Sequence, residues 1–231
     1  MSRPASIPLF AAAIASLDAR PLLAGLCFGL AAYKPQFGLL IPFVLAAGGH
    51  WRAFAAAAAT VLALSAACTL LFGAQIWPEF FAAAGLSRQV ILESNGVGYA
   101  KMVSVFAGLR LWHLPLPAAY ILQAIVTILV VATSARLWSS KVDLRLAGAA
   151  LCIGTLLATP FALDYDLMLL APAILLLAAH EMEHRTMPFG ASLLFSLWMM
   201  PLFARDIATV TLVPLGALVL VVSFLAVLKQ A

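Results

Sequence analysis

The stretch Tyr33-Lys34-Pro35-Gln36-Phe37 sets a cation, a helix breaker and an amide in the middle of an apolar run from Pro21 to Ala47. A charge in such a run is costly, and ionisable residues inside membrane segments face a cavity, a partner or a substrate. Proline removes a backbone hydrogen bond, and broken backbone at membrane depth survives where it lines a protected or wet site. The remainder of the chain reads as the scaffold around this break.

Composition decides what kind of scaffold. The 231 residues are 65% hydrophobic and only 10% charged, against about 25% charged in soluble domains. The apolar runs are rich in Ala, Leu and Val and end at short polar turns. A membrane β-barrel would instead alternate apolar and polar over ~10 residues. The expected fold is an all-α polytopic membrane bundle of about seven to nine membrane segments, some short or re-entrant. The formal charge of +4 implies no nucleic-acid partner, because the Lys and Arg residues cluster in loops as topology signals do.

Working outward from Lys34, Leu22 to Ala32 and Phe37 to Ala47 are each about half a span. They form either a hairpin of short helices or one kinked, tilted helix. On the amino-terminal side, Ile7 to Leu17 is about 16 Å of helix, too short for a ~30 Å hydrocarbon core. With Arg3 and the small residues Ala15 and Ala19 it also has the outline of a signal peptide. On the other side, Gly48 to Arg52 make a polar turn, and Ala53 to Phe72 is a full-length helix.

One membrane domain spans 1–231, with 74–101 as an outer-face loop. In that loop the mixture around Trp77-Pro78, Phe80, Phe81 and Arg88 suits a helix lying at the membrane surface. Lys101 to Trp112 spaces Met102, Val105, Phe106, Leu109 and Trp112 as one short helix. Further helices are expected over Leu116 to Leu137, Leu146 to Leu163, Leu167 to Ala179, Met187 to Phe203 and Ile207 to Leu228. The last two divide at Pro201 to Asp206.

Arg136, Lys141 and Arg145 outweigh Asp143 in one loop, which the positive-inside rule makes cytoplasmic. Arg52 and Lys229 then also fall inside, so the carboxy terminus is cytoplasmic. Glu79 to Tyr99, Asp164 to Asp166 and Arg205-Asp206 fall outside. Arg20 falls inside only if Pro21 to Ala47 crosses twice, which favours the hairpin and sends Lys34 toward the outer face.

Several clusters could carry chemistry. Asp164-Tyr165-Asp166 puts two carboxylates at the outer end of a helix, fit to position a polar substrate or to cap the next helix. Lys34 suits a phosphate or pyrophosphate, the alternative being a snorkelling side chain. Lys101, Arg88 and Arg110 could add charge there. His180-Glu181-Met182-Glu183-His184 matches HExxH, but zinc hydrolysis needs a third ligand. No Asp-Gly-containing partner motif occurs, and the match sits on the inner side directly before Arg185, where a charged connecting loop is expected. Cys27, Cys68 and Cys152 sit in apolar runs, odd in number and without CxxC, so they read as small core residues. No P-loop, GxGxxG or GxSxG occurs, and no metal or cofactor is expected.

Gly29-Leu30-Ala31-Ala32-Tyr33-Lys34-Pro35-Gln36-Phe37-Gly38-Leu39-Leu40, followed by Gly49-His50-Trp51-Arg52-Ala53, resembles glycosyltransferase family 87. The later Ala158-Thr159-Pro160-Phe161-Ala162-Leu163-Asp164-Tyr165-Asp166 resembles its bacterial members. The resemblance implies a GT-C-like fold and a bacterial inner-membrane enzyme related to the polyprenol-phosphate-mannose-dependent α-1,2-mannosyltransferases. The donor it implies is a polyprenyl-phosphate hexose, passed to a glycan or glycolipid acceptor on the periplasmic side. Lys34 and Lys101 would then hold donor phosphate, Gln36 would also bind substrate, Asp164 and Asp166 would orient hydroxyls, and Tyr99 or Tyr165 would stack on sugar. Family members keep a catalytic aspartate in a first periplasmic loop that has no counterpart here. The sequence is thus expected to be a carboxy-terminal portion lacking the catalytic base. A transporter or flippase-like subunit is the rival class, since transporters also bind substrate at broken helices.

Overall fold

The computed structural model describes residues 6–140, 142–184 and 189–230. Arg3, Lys141, Arg185 and Met187, which enter the sequence reading, lie outside these. The described residues form eleven α-helices joined by short turns, with one isolated antiparallel bridge between Met102 and Leu163. In order they are α1 (Ser6–Ser16), α2 (Pro21–Leu30), α3 (Ile41–Ala47), α4 (Trp51–Phe72), α5 (Ile76–Ser87) and α6 (Val105–Leu111). There follow α7 (Leu116–Ser139), α8 (Leu144–Ala158), α9 (Leu170–His184), α10 (Gly190–Thr211) and α11 (Leu215–Lys229). Four helical stretches are long and apolar enough to cross a membrane, namely Trp51–Phe72, Leu116–Ser139, Asp164–His184 and Gly190–Thr211. Four shorter apolar stretches accompany them. The chain is an all-α polytopic membrane protein.

The axis of the bundle is α8. Every residue from Leu146 to Ala158 is buried, as expected of a helix that is apolar all round. It packs against α1, α7, α9 and α11. By contrast, only Ala53 and Ala57 of α4 are buried, so most of that helix faces outward and supplies lipid contact. Its buried stripe meets Gly25 and Gly29 of α2. A Cβ on Gly29 would lie 2.8 Å from the Ala57 carbonyl oxygen, so glycine is what lets the two backbones close up.

The run from Pro21 to Ala47 turns back on itself. Asp18 and Pro21, which lead into α2, line one cavity with Gly49, His50, Trp51 and Arg52, which lead out of α3. Both ends of the run therefore sit at the same end of the bundle, which is the hairpin arrangement. The tip consists of two 3-10 turns, Ala31–Tyr33 and Pro35–Gly38. Lys34 between them is extended, at φ −117° and ψ 86°, as the residue before a proline must be to avoid its ring. Short α1 packs beneath, with Phe10 edge-on to Phe28 at 5.8 Å.

Three boundaries differ from the sequence reading. Met102 and Val103 are extended rather than helical: the Val103 amide donates to the Ala162 carbonyl at 2.9 Å, and α6 starts only after Ser104, whose hydroxyl accepts from the Ala107 amide. The helix expected to reach Leu163 stops at Ala158, because Pro160 cannot continue it. The carboxy-terminal division falls at Leu212 to Pro214 instead of Pro201 to Asp206. Helix α10 runs through Pro201 and keeps Arg205 and Asp206 within it. The chain breaks where Leu212 adopts a left-handed φ of 59° just ahead of Pro214.

Polar groups gather at the two ends. At one, Asp18, His50, Ser140 and Val142 surround a cavity of about 200 Å³. Asp143 caps α8 there; burial pushes its carboxyl up, but the Arg145 amide, His180 and the Arg145 charge outweigh this and hold it below the ordinary range. At the other end lie Lys34, the 88–104 loop and Asp164 to Asp166.

Candidate functional site

Lys34 and Asp166 form an ion pair at the hairpin tip. The Asp166 side chain is only 2% exposed, that of Lys34 21%, so the carboxylate is sealed while the lysine side chain stays partly open. Local backbone places the carboxylate. Helix α8 ends at Ala158 ahead of Pro160, which makes a turn with Phe161, and a 3-10 turn over Asp164–Leu169 leads into α9. Asp166 caps that turn: its Oδ2 accepts from the Leu163 amide at 3.1 Å, while its own amide donates to the Leu163 carbonyl at 2.9 Å. Both carboxylate oxygens are thereby engaged, one with the turn and one with Lys34.

Two aromatic rings complete the seat of the ammonium. Lys34 Nζ lies 5.0 Å from the Phe37 ring centroid and 4.7 Å from that of Tyr165, within cation–π range. An ammonium has three N–H donors. One serves Asp166, and the partial exposure of the side chain leaves room for an incoming acceptor.

The other candidate residues divide by position. Tyr165 is exposed beside Lys34. Asp164 accepts from the Tyr165 amide at 2.8 Å and has Arg205 at 3.9 Å as its outer partner. Gln36 is half-buried on the tip. Lys101 and Asp164 each adjoin the bridged pair Met102–Leu163, which ties the 88–104 loop to the carboxylate turn. Tyr99 lies elsewhere in character: it is buried in a small cluster with Leu92, Met102 and Phe106, and its hydroxyl donates to the Leu92 carbonyl at 2.9 Å. Arg110 donates to that hydroxyl at 3.2 Å and Arg88 pairs with Glu93 at 3.3 Å, so both cations serve the loop.

The sequence reading did not single out Phe37 or Arg205. Phe37 follows Lys34 by three residues, the spacing that brings side chains over one another in a 3-10 turn, and that signal was legible. Arg205 belonged to a supposed interhelical loop, and only its retention in α10 brings it toward Asp164.

Beside the tip an open apolar groove of about 560 Å³ runs between α2, α3 and α4, walled by Phe28, Ala32, Pro35, Leu39, Phe54 and Val61 among others. Pro35, the neighbour of Lys34 in the chain, is on its wall, and an apolar groove of this kind suits a hydrocarbon tail.

No curated protein and no solved structure matches the chain. Residues 6–160 match glycosyltransferase family 87, a region that contains Lys34 and the groove and ends just short of Asp164. With more than half of its length matched, the chain belongs to glycosyltransferase family 87, a family of membrane glycosyltransferases.

Proposed function

We propose that the chain takes part in transferring a hexose, mannose-like in kind, from a polyprenyl-phosphate donor to a glycan or glycolipid acceptor at the periplasmic face of a bacterial inner membrane. The observation that carries this reading is Lys34 itself, an ammonium fixed by a sealed carboxylate, one residue along the chain from Pro35 on the wall of an apolar groove. In this reading the prenyl chain lies in the groove and the phosphate meets the partly open Lys34. As the glycosidic bond breaks, negative charge grows on the departing lipid phosphate, and a preorganised cation lowers the barrier most at that point. Asp166 acts as a positioning residue. Lys101 adds a second cation for the phosphate, Gln36 and Asp164 contact substrate, and Tyr165 offers a ring face to the sugar. The family's catalytic aspartate has no candidate here, so the base that deprotonates the acceptor hydroxyl is not assigned to this sequence.

The sidedness follows from charge. Arg52, Arg136, Arg145 and Lys229 lie at the end opposite Lys34, and the positive-inside rule makes that end cytoplasmic, the carboxy terminus included.

The test is transfer of radiolabelled hexose from a polyprenyl phosphate in membranes carrying the chain. Lys34→Ala is expected to abolish transfer while membrane insertion persists. Unchanged turnover in that variant defeats the reading. Movement of the lipid-linked sugar across proteoliposomes without any transfer assigns the chain to the transporter class instead.

A further inference from the structure

The end of the bundle opposite Lys34 gathers three ligating side chains that the glycosyltransferase reading does not use. Asp143 caps α8 through Oδ1, which accepts from the Arg145 amide at 2.9 Å. That leaves Oδ2 turned to the last two turns of α9. His180 Nδ1 lies 2.8 Å from this oxygen and His184 Nε2 3.8 Å. The two rings stand 4.6 Å apart between centroids, as i and i+4 residues on one helical face do.

We propose that Asp143, His180 and His184 form a binding site for a divalent transition metal, Zn²⁺ in type, that clamps the start of α8 to the end of α9. The three donor atoms lie within 4.8 Å of one another. Donors about 2.1 Å from a tetrahedral zinc stand about 3.4 Å apart, and the two observed separations from Asp143 Oδ2 straddle that value. Two imidazoles and a carboxylate are a donor set that suits zinc. Drawing the exposed His184 ring inward toward Asp143 Oδ2 would close the site.

Charge and exposure fit the proposal. Arg145 stands 3.6 Å from Asp143 and would oppose a cation, but its guanidinium is engaged by Glu183 at 2.6 Å and by the Ala179 carbonyl at 3.1 Å. The Arg145–Glu183 pair is neutral as a unit. His180 is sealed at 7% side-chain exposure whereas His184 is 43% exposed, so metal enters from the His184 side and a water can complete the shell.

The arrangement is a clamp and not a hydrolytic centre. Glu181, the residue that would serve as base in a HExxH protease, packs its carboxylate on Gly190, where a Cβ would lie 2.7 Å from its Oε2. It holds the start of α10 instead of facing the ligands.

The experiment titrates the detergent-purified chain, carrying an affinity tag without histidines, with Zn²⁺ by calorimetry and with Co²⁺ by visible absorption. Saturable binding of a single equivalent is expected, with a cobalt spectrum lacking the thiolate charge-transfer band that Cys27, Cys68 or Cys152 would produce. His184→Ala changes an exposed side chain and should leave the fold intact, judged by circular dichroism and a monodisperse elution. It should weaken Zn²⁺ at least ~10-fold, and Asp143→Asn likewise, whereas His113→Ala should change nothing. Zn²⁺ should also raise the melting temperature of the parent and not of His184→Ala. Absence of saturable binding, or the same affinity in His184→Ala, overturns the proposal.

Discussion

Asp166 holds the Lys34 ammonium across 132 residues of chain, and in doing so joins the tip of the α2–α3 hairpin to the entry of α9. Neither partner would be tolerated alone in this position. An unpaired carboxylate sealed at 2% exposure carries the larger penalty, so the two single substitutions should not be equivalent.

Lys34→Met strands Asp166, and such losses cost about 3–5 kcal/mol. Asp166→Asn strands a partly exposed lysine and should cost less. The double variant Lys34→Met/Asp166→Asn should recover part of the stability while transferring no sugar. Thermal unfolding of the four proteins in detergent gives the coupling directly. Additive losses across that cycle would mean that the pair does not act as a unit.

The hairpin makes a topological prediction. With Cys27, Cys68 and Cys152 replaced by alanine, cysteines placed at Asp18 and at Gly49 should react with an impermeant maleimide from the same side of the membrane. A cysteine at Gln36 should react from the opposite side. Labelling of Asp18 and Gly49 from opposite sides would show instead a single helix that crosses.

Filling the apolar groove should affect donor and not chemistry. Ala58→Trp places a large ring among Phe54, Val61 and Leu62 on the groove wall. If the prenyl chain lies there, the KM for the lipid donor should rise at least ~10-fold, since burying each CH₂ is worth about 0.8 kcal/mol, with kcat little changed. An unaltered KM would move the lipid to another face.

Gln123 is the polar link of α6, α7 and α8. Its Oε1 accepts from the Phe106 amide at 2.9 Å and its Nε2 donates to the Leu157 carbonyl at 2.9 Å. Gln123→Leu leaves a buried donor and a buried acceptor without partners, a loss of about 1–3 kcal/mol for each group. Scanning calorimetry should register a lower melting temperature, and Gln123→Glu should be worse still at neutral pH.

The sequence alone determined the membrane class, the helical architecture, the short α1 and the break at Lys34-Pro35, because hydropathy and proline act locally. It misplaced the carboxy-terminal boundary for a related reason. Arg205 and Asp206 looked like a loop, yet both fit at the end of a helix whose neighbours and exposed surface accommodate their charge, and the real stop needed the left-handed Leu212. Family membership was likewise legible, in the residues flanking Lys34. What only the tertiary structure decided is which groups meet: Lys34 with Asp166, Asp164 with Arg205, and Asp143 with His180 and His184. Each is a contact between distant segments, fixed by how the α2–α3 hairpin, α8, α9 and α10 pack around one another, and no local propensity encodes it. Lys34 entered as an isolated charge in an apolar run; packing turned it into the partly open half of an ion pair whose carboxylate is sealed.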